Sequence, residues 1–152
     1  MKAVRIILLT LAVLVIAIQF RPSGIPENLP ENENSIVHSA LLTENVLGLL
    51  RTSCFDCHSN QTNFPWYSKI APSSWLLADH INHGKSHLNF SEWEKYSRRE
   101  KVRKLEDIKE EIESGEMPLK SYLIIHRDAV LDSVEIRTIV EWVEMETEKI
   151  FN

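Results

Sequence analysis

The segment VLGLLRTSCFDCH, residues 46–58, places Val46, Leu47, Leu50, Cys54 and Cys57 on one stripe at a period of about 3.6 residues. That pattern is the mark of a helix with a single buried face, and the two cysteines continue it. Residues three apart share a helical face with β-carbons about 5 to 6 Å apart, so both thiols point toward one neighbour. The helical pattern holds from Ile36 onward.

Downstream, residues 60–72 carry Pro65 and Pro72 with Phe64, Trp66 and Tyr67, an aromatic loop that needs an apolar surface to cover. Ser73 or Ser74 is expected to cap a short helix through Trp75, Leu76, Leu77 and His80, followed by a loop around Gly84. Ser91 and Glu94 have capping-box spacing and are expected to start the next helix, whose stripe is Val102, Leu105, Ile108 and Ile112, with Gly115 and Pro118 ending it. Asp132 and Glu135 form a second box before Ile136, Ile139, Val140 and Val143. There is no alternating strand pattern and no repeat, and only four glycines, so the fold class is all-α, with four or five helices joined by long loops.

Upstream, Arg21–Ser35 reads RPSGIPENLPENENS, three prolines among polar residues, the composition of a flexible linker. Before it, Lys2 and Arg5 precede an apolar run from Ile6 to Phe20, the layout of an export signal. At about 1.5 Å per residue this run spans about 22 Å, short of a roughly 30 Å hydrocarbon layer. No small-x-small cleavage site follows it, so the segment is read as an uncleaved transmembrane anchor, with cleavage to a soluble periplasmic form as the alternative. The positive charges at its start place the remainder outside the cytoplasmic membrane. The organisation is then an export segment at 1–20, a linker at 21–35 and one domain at 36–150. A net charge of −5 disfavours nucleic acid, which needs clustered positive charge, and favours a neutral or basic protein partner.

Cys54-Phe55-Asp56-Cys57-His58 is C-x-x-C-H, the attachment pattern of c-type haem. Two thiols on one helical face can bond the two vinyl groups of a porphyrin edge, and the adjacent His58 can bind iron as proximal ligand. Three other readings compete. A Cys54–Cys57 disulfide would close too short a loop to stabilise much. A thioredoxin-like redox pair wants a preceding strand that is not present. Zinc would join Cys54 and Cys57 to His83 and His87, at an unusually long spacing that gives His58 no role.

The chain resembles the exported bacterial haem-binding domain family. The resemblance rests on Cys54-Phe55-Asp56-Cys57-His58-Ser59-Asn60, Pro65-Trp66-Tyr67, Asp79-His80-Ile81, Leu88-Asn89-Phe90-Ser91-Glu92-Trp93, Gly115-Glu116-Met117-Pro118, Tyr122 and His126, and runs from about Ile36 to Met145. It implies a cytochrome c-like, mono-haem helical domain. Lys85 stands where arginine is expected, and Leu119 and Arg127 where proline is expected, departures that leave the haem residues intact.

Met117, in a Pro-bounded turn about sixty residues beyond His58, is the leading distal iron ligand, since a thioether favours ferrous iron. Its alternative role is filling a core gap. His80, His83, His87 and His126 are the rival ligands, with His83 or His87 swinging in from the Gly84 loop; His38 is a bystander. The tryptophans and Tyr67 are read as core and haem packing. The basic run from Lys95 to Lys104 and the acidic run from Glu106 to Glu113 are read as solvated faces. An electron carrier is the first functional reading. A peroxidase-like enzyme or a gas sensor, each with an open sixth position, are the alternatives.

Overall fold

The computed structural model describes residues 1–40 and 42–152. It is helical over 68% of its length with no strand among the described residues, so the all-α expectation holds. The helices are α1 (Lys2–Ile18), α2 (Glu44–Ser53), α3 (Phe55–His58), α4 (Ser73–His87), α5 (Arg98–Ser114), α6 (Lys120–Leu123) and α7 (Ser133–Phe151), with short 3₁₀ turns between them.

The core forms where the stripes of α2, α5 and α7 meet. Val46, Leu47 and Leu50 from α2, Leu105, Ile108 and Ile112 from α5, and Ile139, Trp142 and Val143 from α7 are buried together, joined by Phe55, Phe90 and Trp93. Phe55 stacks on Phe90 at 5.2 Å between ring centroids, which fixes the start of α3 against the 3₁₀ turn at residues 90–95. Packing of α5 on α7 is the largest interhelical contact. α7 starts at the Asp132–Glu135 capping box, and α5 ends at Gly115, whose φ of 71° is the left-handed cap that glycine adopts without strain.

Two boundaries fall elsewhere than the sequence pattern places them. α5 starts at Ser97, whose hydroxyl accepts the Glu100 N–H while the Glu100 carboxylate accepts the Ser97 N–H. Ser91 instead accepts the Asn60 N–H at 2.9 Å, and Asn89 caps the 90–95 turn. α4 runs unbroken through Gly84 to His87, with no side-chain cap from Ser73 or Ser74. Gly84 is helical because α4 lies directly on α3: a Cβ there would come within 2.7 Å of the Cys57 carbonyl oxygen.

At the N-terminus, α1 is apolar and buries no residue. The expected transmembrane span is not found, since among the described residues no helix is long and apolar enough to cross a membrane. α1 stops at Ile18, where Gln19 turns its side chain onto the domain. Gln19 Nε2 donates to the Ala71 carbonyl at 3.1 Å and Oε1 accepts the Ala71 N–H at 2.9 Å. Arg21 lies over the Trp75 ring, 5.1 Å from its centroid. Further along the Pro-rich segment, Asn28 exchanges two hydrogen bonds with the backbone of Thr62, at 2.8 and 3.0 Å, and the Leu29 N–H reaches the Asn60 carbonyl.

Candidate haem site

α2 ends at Ser53, and Cys54 makes the bend into the single turn of α3, which carries Cys57 and His58. Both cysteines are free and partly buried. Burial, with Cys57 adding, pushes the Cys54 thiol up to about 12; burial, with Asp56 adding, pushes Cys57 up to about 11. Among the described residues no strand precedes α2, so the βαβ setting of a thioredoxin-like pair is not formed.

His58 faces the C-terminal end of α4. Its Nδ1 lies 3.1 Å from the Leu88 carbonyl oxygen, and a carbonyl can only accept, so Nδ1 carries the proton. Nε2 is therefore the lone pair left for a metal. Burial holds the imidazole below its ordinary range, and the Leu88 and Gly84 backbone carbonyls offset this only in part, which favours the neutral ring. A ligating histidine with its other N–H fixed by a carbonyl is the usual outer-shell arrangement of a metal-bound imidazole. Lys104 secures the same corner: it is buried, its ammonium lies 4.3 Å from the Tyr96 ring centroid, and Nζ donates to the His87 carbonyl.

Met117 sits on the turn after Gly115, half-buried, with its N–H on the Glu111 carbonyl at 3.1 Å. The rival histidines are placed differently from one another. His83 and His87 are exposed on the helical surface of α4, ring centroids 4.6 Å apart, rather than on a mobile loop. Among the described residues no three His, Cys, Asp or Glu side chains converge on a metal position, so the zinc set of Cys54, Cys57, His83 and His87 is not assembled. His80 is half-buried on α4. His126 is engaged: its Nε2 is 2.9 Å from the Tyr67 hydroxyl, and its ring stacks on Tyr122 at 4.0 Å and 6°. His38 lies 3.7 Å from Glu31 at the surface.

The stacked pair belongs to a polar chain that sequence patterns did not show. Tyr122 donates its hydroxyl proton to Asp56 Oδ2 at 2.8 Å. Burial, followed by that bond, holds the Tyr122 phenol well above its ordinary range, and burial and the Asp56 charge raise Tyr67 less. Asp56, Tyr67, Tyr122 and His126 all lie in the stretches that carry the family resemblance, but neither that resemblance nor the i, i+4 spacing of Tyr122 and His126 pairs them. Trp66, expected to pack, is 74% exposed, and the buried Trp75 indole N–H has no acceptor among the described residues.

One thiol at the bend after α2, and a second thiol with the His58 imidazole on the single turn that follows, form a donor set inside an all-α domain that fits haem. The chain belongs to the haem-binding domain family, whose model matches residues 13–145. Neither the curated proteins nor the solved structures gave a match.

Proposed function

We propose that the protein is a mono-haem c-type cytochrome acting as an electron carrier. Cys54 and Cys57 would hold the haem through two thioethers, His58 Nε2 would bind iron on the proximal side, and Met117 on the distal side. The observation that carries this reading is the His58 Nδ1–H bond to the Leu88 carbonyl, which orients the ring and dedicates Nε2 to a metal. Bound haem supplies a one-electron ferric/ferrous couple.

With haem bound, His58 and Met117 would be the residues that hold its iron through both oxidation states. α4 braces the proximal side through the Leu88 carbonyl, and the rigid turn ending α5 presents Met117, whose soft sulfur favours the reduced metal. Lys2 and Arg5 before the apolar α1 support export, with the domain in the periplasm and α1 as the surface that keeps it at the membrane. The net charge of −5 suits a redox partner with a neutral or basic face, met through a small, short-lived interface, and does not suit nucleic acid.

The test is a pyridine haemochrome spectrum and intact mass of protein made with the cytochrome c maturation machinery. One covalent haem, and a sulfur-to-iron charge-transfer band that Met117→Ala abolishes, are the expected results. Colourless protein at the polypeptide mass overturns the haem reading. A high-spin ferric spectrum in the native protein replaces the carrier with an open-site enzyme or sensor.

A further inference from the structure

Residues 116–128 contain no buried side chain, and Ile124 and Ile125 are 67% and 58% exposed. Met117 itself is held to α5 by its N–H bond to the Glu111 carbonyl, but the segment that follows it buries no apolar side chain. Among the described residues the backbone bonds of α6 are local: Tyr122 and Leu123 donate to the Leu119 carbonyl, and Ile125 and His126 donate to the Tyr122 carbonyl. Between the Met117 turn, bonded to α5, and the turn at residues 127–129, packed on α2, the segment's side-chain ties to other elements are polar. Tyr122 donates to Asp56 at 2.8 Å, and one helical turn later His126 meets the Tyr67 hydroxyl at 2.9 Å.

Asp56 is itself immobilised. Its Oδ1 accepts the Asn63 N–H at 2.8 Å, its backbone carbonyl accepts the Thr62 hydroxyl at 2.8 Å, and it sits between Cys54 and Cys57 on the attachment turn. The flat stack of Tyr122 on His126 makes the two tethers one rigid unit.

We propose that Asp56 and Tyr122 are positioning residues: their hydrogen bond latches the Met117 segment to the haem attachment turn, with His126 and Tyr67 holding its far end. The inference rests on the haem site proposed above. It assigns the second residue of the C-x-x-C spacer a structural task, setting how firmly the distal side is closed. The bond joins a phenol to a carboxylate, a charge-assisted interaction stronger than a neutral one.

The test uses the full haem-loaded chain. Tyr122→Phe keeps the ring on His126 and removes only the hydroxyl. It is expected to raise the affinity of ferric haem for added imidazole about tenfold and to speed amide exchange across residues 117–126 by a similar factor. Haem content and exchange in α5 and α7 should stay at wild-type levels. Asp56→Asn, which keeps an oxygen to accept the phenol but removes the charge, should give a smaller rise in imidazole affinity and exchange than Tyr122→Phe. Adding Asp56→Ala to Tyr122→Phe should bring no further rise in imidazole affinity. Wild-type exchange in 117–126 of Tyr122→Phe overturns the proposal, as does an acceleration spread equally over α5 and α7. A native spectrum lacking the sulfur-to-iron band removes Met117 from the iron and sinks that part of the proposed function. The exchange measurement decides the latch in that case, and also in protein that carries no haem.

Discussion

Gly84 lies in the middle of a helix, where alanine would ordinarily gain about 1 kcal/mol in propensity. A Cβ at that position meets the Cys57 carbonyl oxygen at 2.7 Å and the Cys57 Cβ at 3.3 Å, and a backbone carbonyl cannot swing aside as a side chain can. Gly84→Ala is therefore expected to destabilise the domain by about 1–3 kcal/mol in urea unfolding, as other overpacked contacts do, and to lower haem incorporation because α3 is displaced. At this scale the placing of Cys54, Cys57 and His58 together on one bend and the turn after it was legible in the sequence, since C-x-x-C-H fixes their spacing by covalent geometry. The Leu88 carbonyl that orients His58 was not, because every residue has a carbonyl and only the fold chooses one. Asp56 and Tyr122 were hidden for a related reason: a bond spanning 66 residues has no local signature.

α5 shows how two equal local signals are resolved by packing. Ser91 with Glu94 and Ser97 with Glu100 have the same capping spacing, yet only the second pair caps a helix. Phe90 and Trp93 are both buried, which commits residues 90–95 to a tight turn against the core and leaves the Ser91 hydroxyl to the Asn60 N–H. Ser97→Ala is expected to lower stability by about 1 kcal/mol, seen as a reduced melting temperature. The Glu100 carboxyl is held below its ordinary value of 4.5 by bonds from the Ser97 side chain and backbone. A depressed folded-state pKa stabilises above the ordinary value and is lost as pH falls through the lower, folded-state one. The melting-temperature gap between wild type and Glu100→Gln should therefore be full at neutral pH and close in the acid range below 4.5. Helix existence was legible from apolar periodicity. The extent of α4 was not, because a lone glycine in a weakly amphipathic stretch reads as a break unless the neighbour that demands it is known.

In the whole molecule, stability is concentrated where α2, α5 and α7 meet, with Trp142 and Ile139 fully buried. Trp142→Ala is expected to cost about 3–5 kcal/mol, a large part of a typical total of about 5–15, and should leave the domain partly unfolded at 37 °C by circular dichroism. The all-α class was legible because each of these stripes repeats at helical period. The contacts of residues 19–35 were not, since they run from Gln and Asn side chains to backbone atoms of a distant loop. Ligand linkage also acts at this scale: protein made without haem maturation should melt at a lower temperature than the loaded form, because a group bound only by the folded state stabilises it.

Gln19 grips Ala71 with both amide atoms at the point where α1 ends. The domain consequently has a heading relative to that helix instead of swivelling about it. Wherever α1 is held at a boundary, the same side of the protein meets every arrival, and spin labels on α1 and α4 should report one narrow separation; replacing Gln19 with alanine should broaden it.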